Sequence, residues 1–160
     1  MEPIIGHCPL EGRTGHDAGR ALLTRMYKEY IGGETPEILV QDRGMPYFST
    51  GNIHFSISHT KRHAFCVLAD REVGIDAEEL DRDVKPTLAA KILSAEELGQ
   101  YEAAADKNRA LLTFWVLKEA AAKATGEGLR GYPNGTAFSL DDPRVTEIDG
   151  CLVAVVFRDC

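Results

Sequence analysis

The sequence predicts an α+β fold, laid out as a single domain over residues 1–160 with approximate halves at 1–72 and 73–160. Three observations lead to this class. The apolar period is two over residues 53–59, it is close to four over residues 16–31, and strands and helices are mixed without a regular βαβ alternation.

Two long helices are predicted. In residues 16–31 apolar side chains recur every four positions, and the pair Gly32-Gly33 ends the segment. Residues 108–125 carry a leucine, tryptophan and alanine stripe and stop at Gly126. Between them, Ser94 and Glu97 have the spacing of a capping box at a helix start.

The strands follow from alternation. Residues 53–59 place isoleucine and phenylalanine on one face and His54, Ser56 and Ser58 on the other. Further predicted strands are 37–41, 64–69, 73–77, 137–140 and 151–157.

Composition narrows the function. A net charge of −7 argues against general nucleic-acid binding, which needs a basic surface, although a small basic pocket for one polyphosphate stays compatible. No apolar run is long enough to cross a bilayer, and the first residues have no signal-peptide pattern, so we expect a cytoplasmic protein without membrane contact. The cysteines form no CxxC pair, so we expect reduced thiols and no zinc; they are Cys8, Cys66, Cys151 and Cys160.

Asp76 and Glu78 are the first candidates for chemistry. They lie two residues apart and therefore share one face of the predicted strand 73–77. Two carboxylates on one face suit Mg²⁺, although an isolated pair of this kind is more often the solvated end of a strand. Gly74 indicates a close approach of backbone or ligand.

A second group lies on the long helix. Trp115, Glu119 and Lys123 are four residues apart and share one helix face. The alternative is an ordinary surface pair of glutamate and lysine. A lone histidine such as His59 is more often a structural hydrogen-bonding residue, but it leaves its strand close to Lys61 and Arg62, which is compatible with contact to an anion.

Taken together and in order, these segments resemble the single-chain 4′-phosphopantetheinyl transferases of the surfactin-synthetase-activating type. The matching segments are Gly44-Met45-Pro46, Phe55-Ser56-Ile57-Ser58-His59-Thr60, Gly74-Ile75-Asp76-Ala77-Glu78, Leu93-Ser94-Ala95-Glu96-Glu97 and Trp115-Val116-Leu117-Lys118-Glu119-Ala120. The match runs from about residue 44 to residue 128. The small trimeric holo-acyl-carrier-protein synthases have a similar lysine-glutamate segment, but their serine-histidine segment lies at the end of the chain. Here that segment comes first, so the single-chain type is the better match.

The resemblance implies two pseudo-symmetric halves with the active site between them, the first half being shortened here. It also implies transfer of 4′-phosphopantetheine from coenzyme A to a serine of an apo acyl or peptidyl carrier protein, with release of 3′,5′-ADP. By the same resemblance Mg²⁺ is held by Asp76, Glu78 and Glu119. The implied catalytic groups are Glu119 or Glu97 as the base, and Lys123. The implied contacts to coenzyme A are His59, Ser58, Lys118, Lys123, Pro46 and Arg20.

The chain departs from the family pattern at Met45, where a basic residue usually precedes the proline, and at Thr60, which replaces a serine. Because the first half is short, we expect coenzyme A to bind more weakly than in longer relatives. Two other functions stay open: a non-catalytic homologue that binds coenzyme A or a carrier protein, and a Mg²⁺-dependent hydrolase of a nucleotide diphosphate.

Overall fold

The computed structural model describes residues 1–126 and 137–158. Cys160 and the last part of the matching stretch, at Gly128, lie outside the described residues. In chain order the elements are β1 (Ile4–Pro9), α1 (Gly15–Tyr30), β2 (Ile38–Val40), β3 (Pro46–Phe48), β4 (His54–His59), β5 (His63–Ala69), β6 (Val73–Glu79), α2 (Thr87–Ile92), α3 (Ala95–Ala103), α4 (Lys107–Thr125), β7 (Val145–Ile148) and β8 (Cys151–Phe157).

Two antiparallel three-stranded sheets form the centre of the fold, in the orders β1-β5-β4 and β6-β8-β7, and β2 and β3 pair as a small ribbon. The α+β class is therefore confirmed. The described strands of the first large sheet, β1, β4 and β5, all precede residue 72, and those of the second, β6, β7 and β8, all follow it. The single domain and the shortened first half stay predictions, and the structure does contain an opening strand, β1, that the sequence analysis did not anticipate.

The apolar cores lie between the layers. Cys66 and Leu68 on one face of β5 pack with the buried side of α1. Phe65 and Val67 on its other face pack against Ile75 and other residues of the second sheet. The far side of the second sheet is covered by α4. Each sheet is thus buried on both faces, which fixes the positions of the strand ends.

Gly74 lets α4 lie directly on β6. A Cβ atom on Gly74 would stand 1.9 Å from the carbonyl oxygen of Ala120 and 2.7 Å from the backbone nitrogen of Ala124. The predicted close approach at Gly74 is confirmed, and the neighbour is a helix backbone. This contact brings the even-numbered side chains of β6 against α4.

Serine side chains join the two sheets where β4 runs beside β6. Ser56 Oγ accepts a hydrogen bond from the backbone nitrogen of Ile75 at 3.1 Å, and Ser58 Oγ accepts one from that of Ala77 at 3.2 Å. These hydroxyls satisfy amides that a paired strand would otherwise satisfy.

The prediction of a strand at residues 137–140 is wrong. The backbone of this segment bonds to side chains of α3: Phe138 N donates to Glu97, the Gln100 amide donates to Phe138 O, and Leu140 N donates to Gln100 Oε1. With these groups used, no sheet pairing forms there.

In the described part of the chain, no helix is both long and apolar enough to cross a membrane.

Candidate active site

The face of α4 that carries Trp115, Glu119 and Lys123 meets β6. Trp115 Nε1 donates to Glu78 Oε1 at 3.1 Å, and Lys123 Nζ lies 3.4 Å from Asp76 Oδ1. The structure therefore brings the two predicted motifs together. We call Asp76, Glu78, Glu119 and Lys123 the acidic cluster.

Asp76 is almost fully buried at the centre of the cluster. Its Oδ1 accepts a hydrogen bond from Ser58 Oγ at 3.2 Å, whereas its buried Oδ2 has no hydrogen-bond partner among the described residues. Burial raises the pKa of Asp76 to about 7; the charge of Lys123 opposes the rise, and those of Glu78 and Glu119 add to it. An unsatisfied carboxylate oxygen beside two more acids is what a cation site requires.

Glu119 and Glu78 are the other two carboxylates of the acidic cluster. Burial raises the pKa of Glu119, Lys123 opposes this, and Glu78 adds to it. Glu78 Oε1 is held by Arg82 at 2.6 Å as well as by Trp115. Within residues 1–126 and 137–158, the ligand atoms of these three carboxylates do not all lie within 4.8 Å of one another. The three carboxylates must move closer together before all of them can bind one ion.

Lys123 is fixed by both sheets. Its ammonium donates to the carbonyl oxygens of Ile57 at 3.2 Å and Ile75 at 3.0 Å. Those carbonyls belong to β4 and β6, so this cation is held where the two sheets meet. A positive charge anchored beside three carboxylates offsets part of their repulsion.

An open cavity of about 730 Å³ lies beside Glu78. Its volume is within the range of small-molecule sites. The lining includes the predicted residue His59. It also carries charges of both signs, namely Arg13, Lys61, Arg82, Glu78, Glu79, Asp81 and Asp83. The cavity therefore offers three positive side chains that can pair with a phosphate group, in a lining of mixed charge next to the acidic cluster.

His59 stands at the start of α1. A Cβ atom on Gly15 would lie 2.2 Å from the imidazole ring, so only glycine allows this packing. The sequence analysis singled out neither Gly15 nor Arg82. A glycine at the first position of a helix and an arginine four residues after Glu78 are too common to identify a site.

The structure argues against direct roles for Glu97 and Lys118. Both side chains are buried, and Lys118 Nζ lies 2.7 Å from Glu97 Oε1. Burial alone would raise the pKa of Glu97, but hydrogen bonds from Lys118 and from two backbone amides hold it below the ordinary value. A base must touch its substrate, and Glu97 has no exposed surface. The geometry therefore favours a structural role for this pair, and the roles of Glu97 as base and of Lys118 as a contact to coenzyme A stay predictions.

The remaining predicted contacts are dispersed. Ser58 is buried between the sheets and bonded to Asp76, which positions that carboxylate; its contact with coenzyme A stays a prediction. Pro46 and Lys123 line a smaller cavity of about 130 Å³. Arg20 lies on α1, outside the described lining of the His59 cavity.

Comparison with known proteins agrees with this arrangement. Residues 72–154, just over half of the chain, match the family model described as the 4′-phosphopantetheinyl transferase superfamily. The chain therefore belongs to that superfamily, which confirms the resemblance at this level. The surfactin-synthetase-activating subtype stays a prediction.

Three known proteins are similar to this chain in sequence. The 4′-phosphopantetheinyl transferase HetI of Nostoc sp. (strain PCC 7120) is 30% identical over 133 residues, which cover 74% of this chain and 54% of HetI. A 4′-phosphopantetheinyl transferase of Bacillus subtilis is 30% identical over 96 residues, which cover 56% of this chain and 41% of the relative. A holo-[acyl-carrier-protein] synthase of Cronobacter sakazakii is 41% identical over 73 residues, covering 42% and 56% respectively. The chain thus matches only about half the length of these relatives.

Proposed function

We propose that this chain transfers the 4′-phosphopantetheine group of coenzyme A to a serine of an apo acyl or peptidyl carrier protein. The observation that carries the proposal is the acidic cluster, with its unpartnered Asp76 oxygen, beside an open cavity that His59, Arg13 and Lys61 line. The names of the relatives, transferase and holo-[acyl-carrier-protein] synthase, support the same class of reaction. A cytoplasmic location goes with this proposal.

Asp76, Glu119 and Glu78 are the residues that would hold Mg²⁺. The fit rests on the unsatisfied Asp76 Oδ2 and on the mutual repulsion of the three carboxylates, which a divalent ion relieves. When bound, the ion supplies Lewis-acid polarisation and charge neutralisation for a diphosphate.

Lys123 and Glu119 have complementary tasks. Lys123 is held rigidly by two backbone carbonyls and faces the same cluster, so it can stabilise charge on the phosphate without reorganising. Glu119 is half-buried and its pKa is raised by burial, which makes it the better base now that Glu97 is fully enclosed. Glu119 takes the proton of the carrier serine hydroxyl, and the serine oxygen bonds to the phosphorus that bears pantetheine. The bond between that phosphorus and the phosphate oxygen of 3′,5′-ADP breaks, so 3′,5′-ADP leaves.

His59 and its cationic neighbours bind the other end of coenzyme A. His59 is exposed to the cavity and lies against the first turn of α1, so it contacts the 3′-phosphate or the diphosphate. Arg13 and Lys61 line the same cavity and add charge. These groups bind substrate and product alike, so they contribute mainly to affinity.

The test is intact-mass spectrometry of an apo carrier protein incubated with this chain, coenzyme A and Mg²⁺. We expect the carrier to gain the mass of one phosphopantetheine group, to lose that gain with EDTA, and to regain it when Mg²⁺ is added back in excess. Fatty-acid and peptidyl carriers are tried in parallel. If no carrier is modified while the folded chain binds coenzyme A, the chain is a non-catalytic homologue and this proposal is wrong. If coenzyme A is consumed without carrier modification, the chain is a hydrolase of a nucleotide diphosphate.

A further inference from the structure

A second group of metal-ligating side chains lies on the opposite face of β6. His63 begins β5, Glu79 ends β6 and Cys151 begins β8. The register pairs Glu79 with Cys151 across the second sheet, and His63 reaches them from the first sheet. Because side chains alternate along a strand, Glu79 points away from α4 and from the acidic cluster that includes Glu78.

The three ligand atoms are close together. Glu79 Oε2 is 3.0 Å from Cys151 Sγ and 3.3 Å from His63 Nδ1, and the sulfur is 3.8 Å from that nitrogen. A tetrahedral zinc ion with bonds of about 2.0–2.3 Å separates such sulfur, nitrogen and oxygen ligands by roughly 3.4–3.6 Å. Shifts of a few tenths of an ångström therefore convert this cluster into three corners of a tetrahedron.

The surrounding residues orient Glu79 as they would a ligand. Arg62 binds Glu79 Oε1 at 2.7 Å and is itself held by Asp81 at 3.0 Å. The other carboxylate oxygen, Oε2, is left facing the thiol and the imidazole, with the Thr60 hydroxyl also bonded to it. Outer hydrogen bonds of this kind fix ligand orientation in metal sites.

A metal ion can reach the cluster from solvent. Glu79 and Thr60 line the cavity of about 730 Å³, while Cys151 is fully buried beneath them. A hydroxyl or water oxygen from the side of Thr60 and the cavity would complete the four-ligand shell of a zinc ion.

We propose that His63, Glu79 and Cys151 form a site for a divalent transition metal of the Zn²⁺ type, separate from the acidic cluster. One thiolate and one imidazole select such a metal over Mg²⁺, which prefers oxygen ligands throughout. The ligands come from both sheets, so the ion ties β5 to β6 and β8 and stabilises their junction. The sequence analysis did not expect zinc because these ligands are too far apart in the chain to form a spacing motif.

The test is titration of the metal-free full chain with Co²⁺, which reports thiolate coordination through a near-ultraviolet charge-transfer band. A large excess of Mg²⁺ keeps the acidic cluster filled, and under these conditions we expect the charge-transfer band to saturate at one Co²⁺ per chain. Zn²⁺ is expected to displace this Co²⁺, and the Mg²⁺ is not. Cys151→Ala removes the band and weakens Zn²⁺ binding by at least about tenfold. The matched controls Cys8→Ala and Cys66→Ala keep both, since these buried thiols lie elsewhere in the first sheet.

His63→Gln provides a second variant, on a partly exposed residue, should Cys151→Ala fold poorly by circular dichroism. It is expected to weaken Zn²⁺ binding and to abolish the rise in Tm that saturating Zn²⁺ gives the unaltered chain. Absence of the charge-transfer band in the folded unaltered chain overturns the proposal. So does an unchanged Zn²⁺ affinity in folded Cys151→Ala or His63→Gln. Neither readout depends on transfer to a carrier, so the result is independent of the proposed function.

Discussion

The ammonium of Lys123 lies 3.4 Å from Asp76 Oδ1 and donates to the carbonyl oxygens of Ile57 and Ile75. One side chain from α4 thus bonds to a strand of each sheet at the point where the acidic cluster forms. Because the strands hold the lysine, its charge is already oriented before any substrate binds.

Asp76→Asn tests the carboxylate at the centre of this arrangement. Asparagine keeps the shape but removes the charge, so we expect carrier modification to fall by on the order of 10²- to 10³-fold, as for other lost electrostatic contacts at active sites. Thermal unfolding is expected to show unchanged or increased stability at pH 7, because burial disfavours the ionised aspartate. Asp42→Asn, at an exposed position, is the control. Near-normal transfer by Asp76→Asn with Mg²⁺ present contradicts the metal-binding assignment.

His59→Ala tests the cavity. Since His59 binds the nucleotide in substrate and product alike, the KM for coenzyme A is expected to rise several-fold while kcat changes less. Steady-state kinetics with a fixed carrier concentration measure both. His16→Ala, an exposed histidine on the same end of α1, serves as the control. An unchanged KM in His59→Ala removes this residue from the binding site.

Gly74→Ala tests the contact between β6 and α4. The added methyl would stand 1.9 Å from a backbone oxygen, and the helix must move to admit it, which costs roughly 1–3 kcal/mol or more. Gly99 has no heavy atom within 4 Å of its added Cβ. Gly99→Ala on α3 is therefore expected to stabilise the fold by about 0.5–1 kcal/mol. Urea unfolding of both variants measures the contrast, and equal stabilities contradict the described packing.

Glu97→Gln tests the buried pair with Lys118. Glutamine removes the 2.7 Å ion pair from a buried ammonium, so we expect a loss of about 1.5–3 kcal/mol in the free energy of unfolding at pH 7, as for a hydrogen bond to a charged group. The folded pKa of Glu97 lies below its ordinary value of 4.5. Its ionised form therefore stabilises the fold above that value, and this contribution is lost as the pH falls through the folded pKa. The difference between the two chains should narrow below about pH 4.5 in urea titrations.

The double variant Glu97→Leu with Lys118→Met is the matched control, since replacing both charges by apolar groups costs less than removing one. If Glu97→Gln instead keeps full stability and loses transfer, Glu97 acts on the substrate and the structural role that its burial favours is wrong.

Local signals account for the elements that the sequence predicted. The capping box at Ser94 forms as expected, with Ser94 Oγ accepting from Glu97 N and Glu97 accepting from Ser94 N. The stop at Gly126 forms through a left-handed residue with φ of 74°. Both depend on neighbours within a few positions, so the sequence contains the whole cause.

The errors fall on two segments whose local sequence does not indicate their partner. The strand β1 contains glycine and ends in proline, which are poor strand formers, and it is held by pairing with β5 about sixty residues later. The segment 137–140 has apolar alternation but bonds to α3 instead of a strand. In both segments the partner, and not the local pattern, decides the backbone structure.

The site shows the same division. The four-residue spacing of Trp115, Glu119 and Lys123 correctly placed them on the face that meets β6, because helix geometry is local. The depth of Glu97 and Lys118 could not be read from the motif, since burial depends on how α3 packs on α4.

The most direct test of the central claim compares the unaltered chain with Glu119→Gln in the carrier-modification assay, using Glu102→Gln, an exposed glutamate on α3, as the matched control. Intact-mass spectrometry follows the addition of one phosphopantetheine group to the carrier with coenzyme A and saturating Mg²⁺. The unaltered chain and Glu102→Gln are expected to modify the carrier at similar rates, and folded Glu119→Gln is expected to be slower by at least about 10². Equal rates for all three would contradict the acidic cluster as the site of transfer.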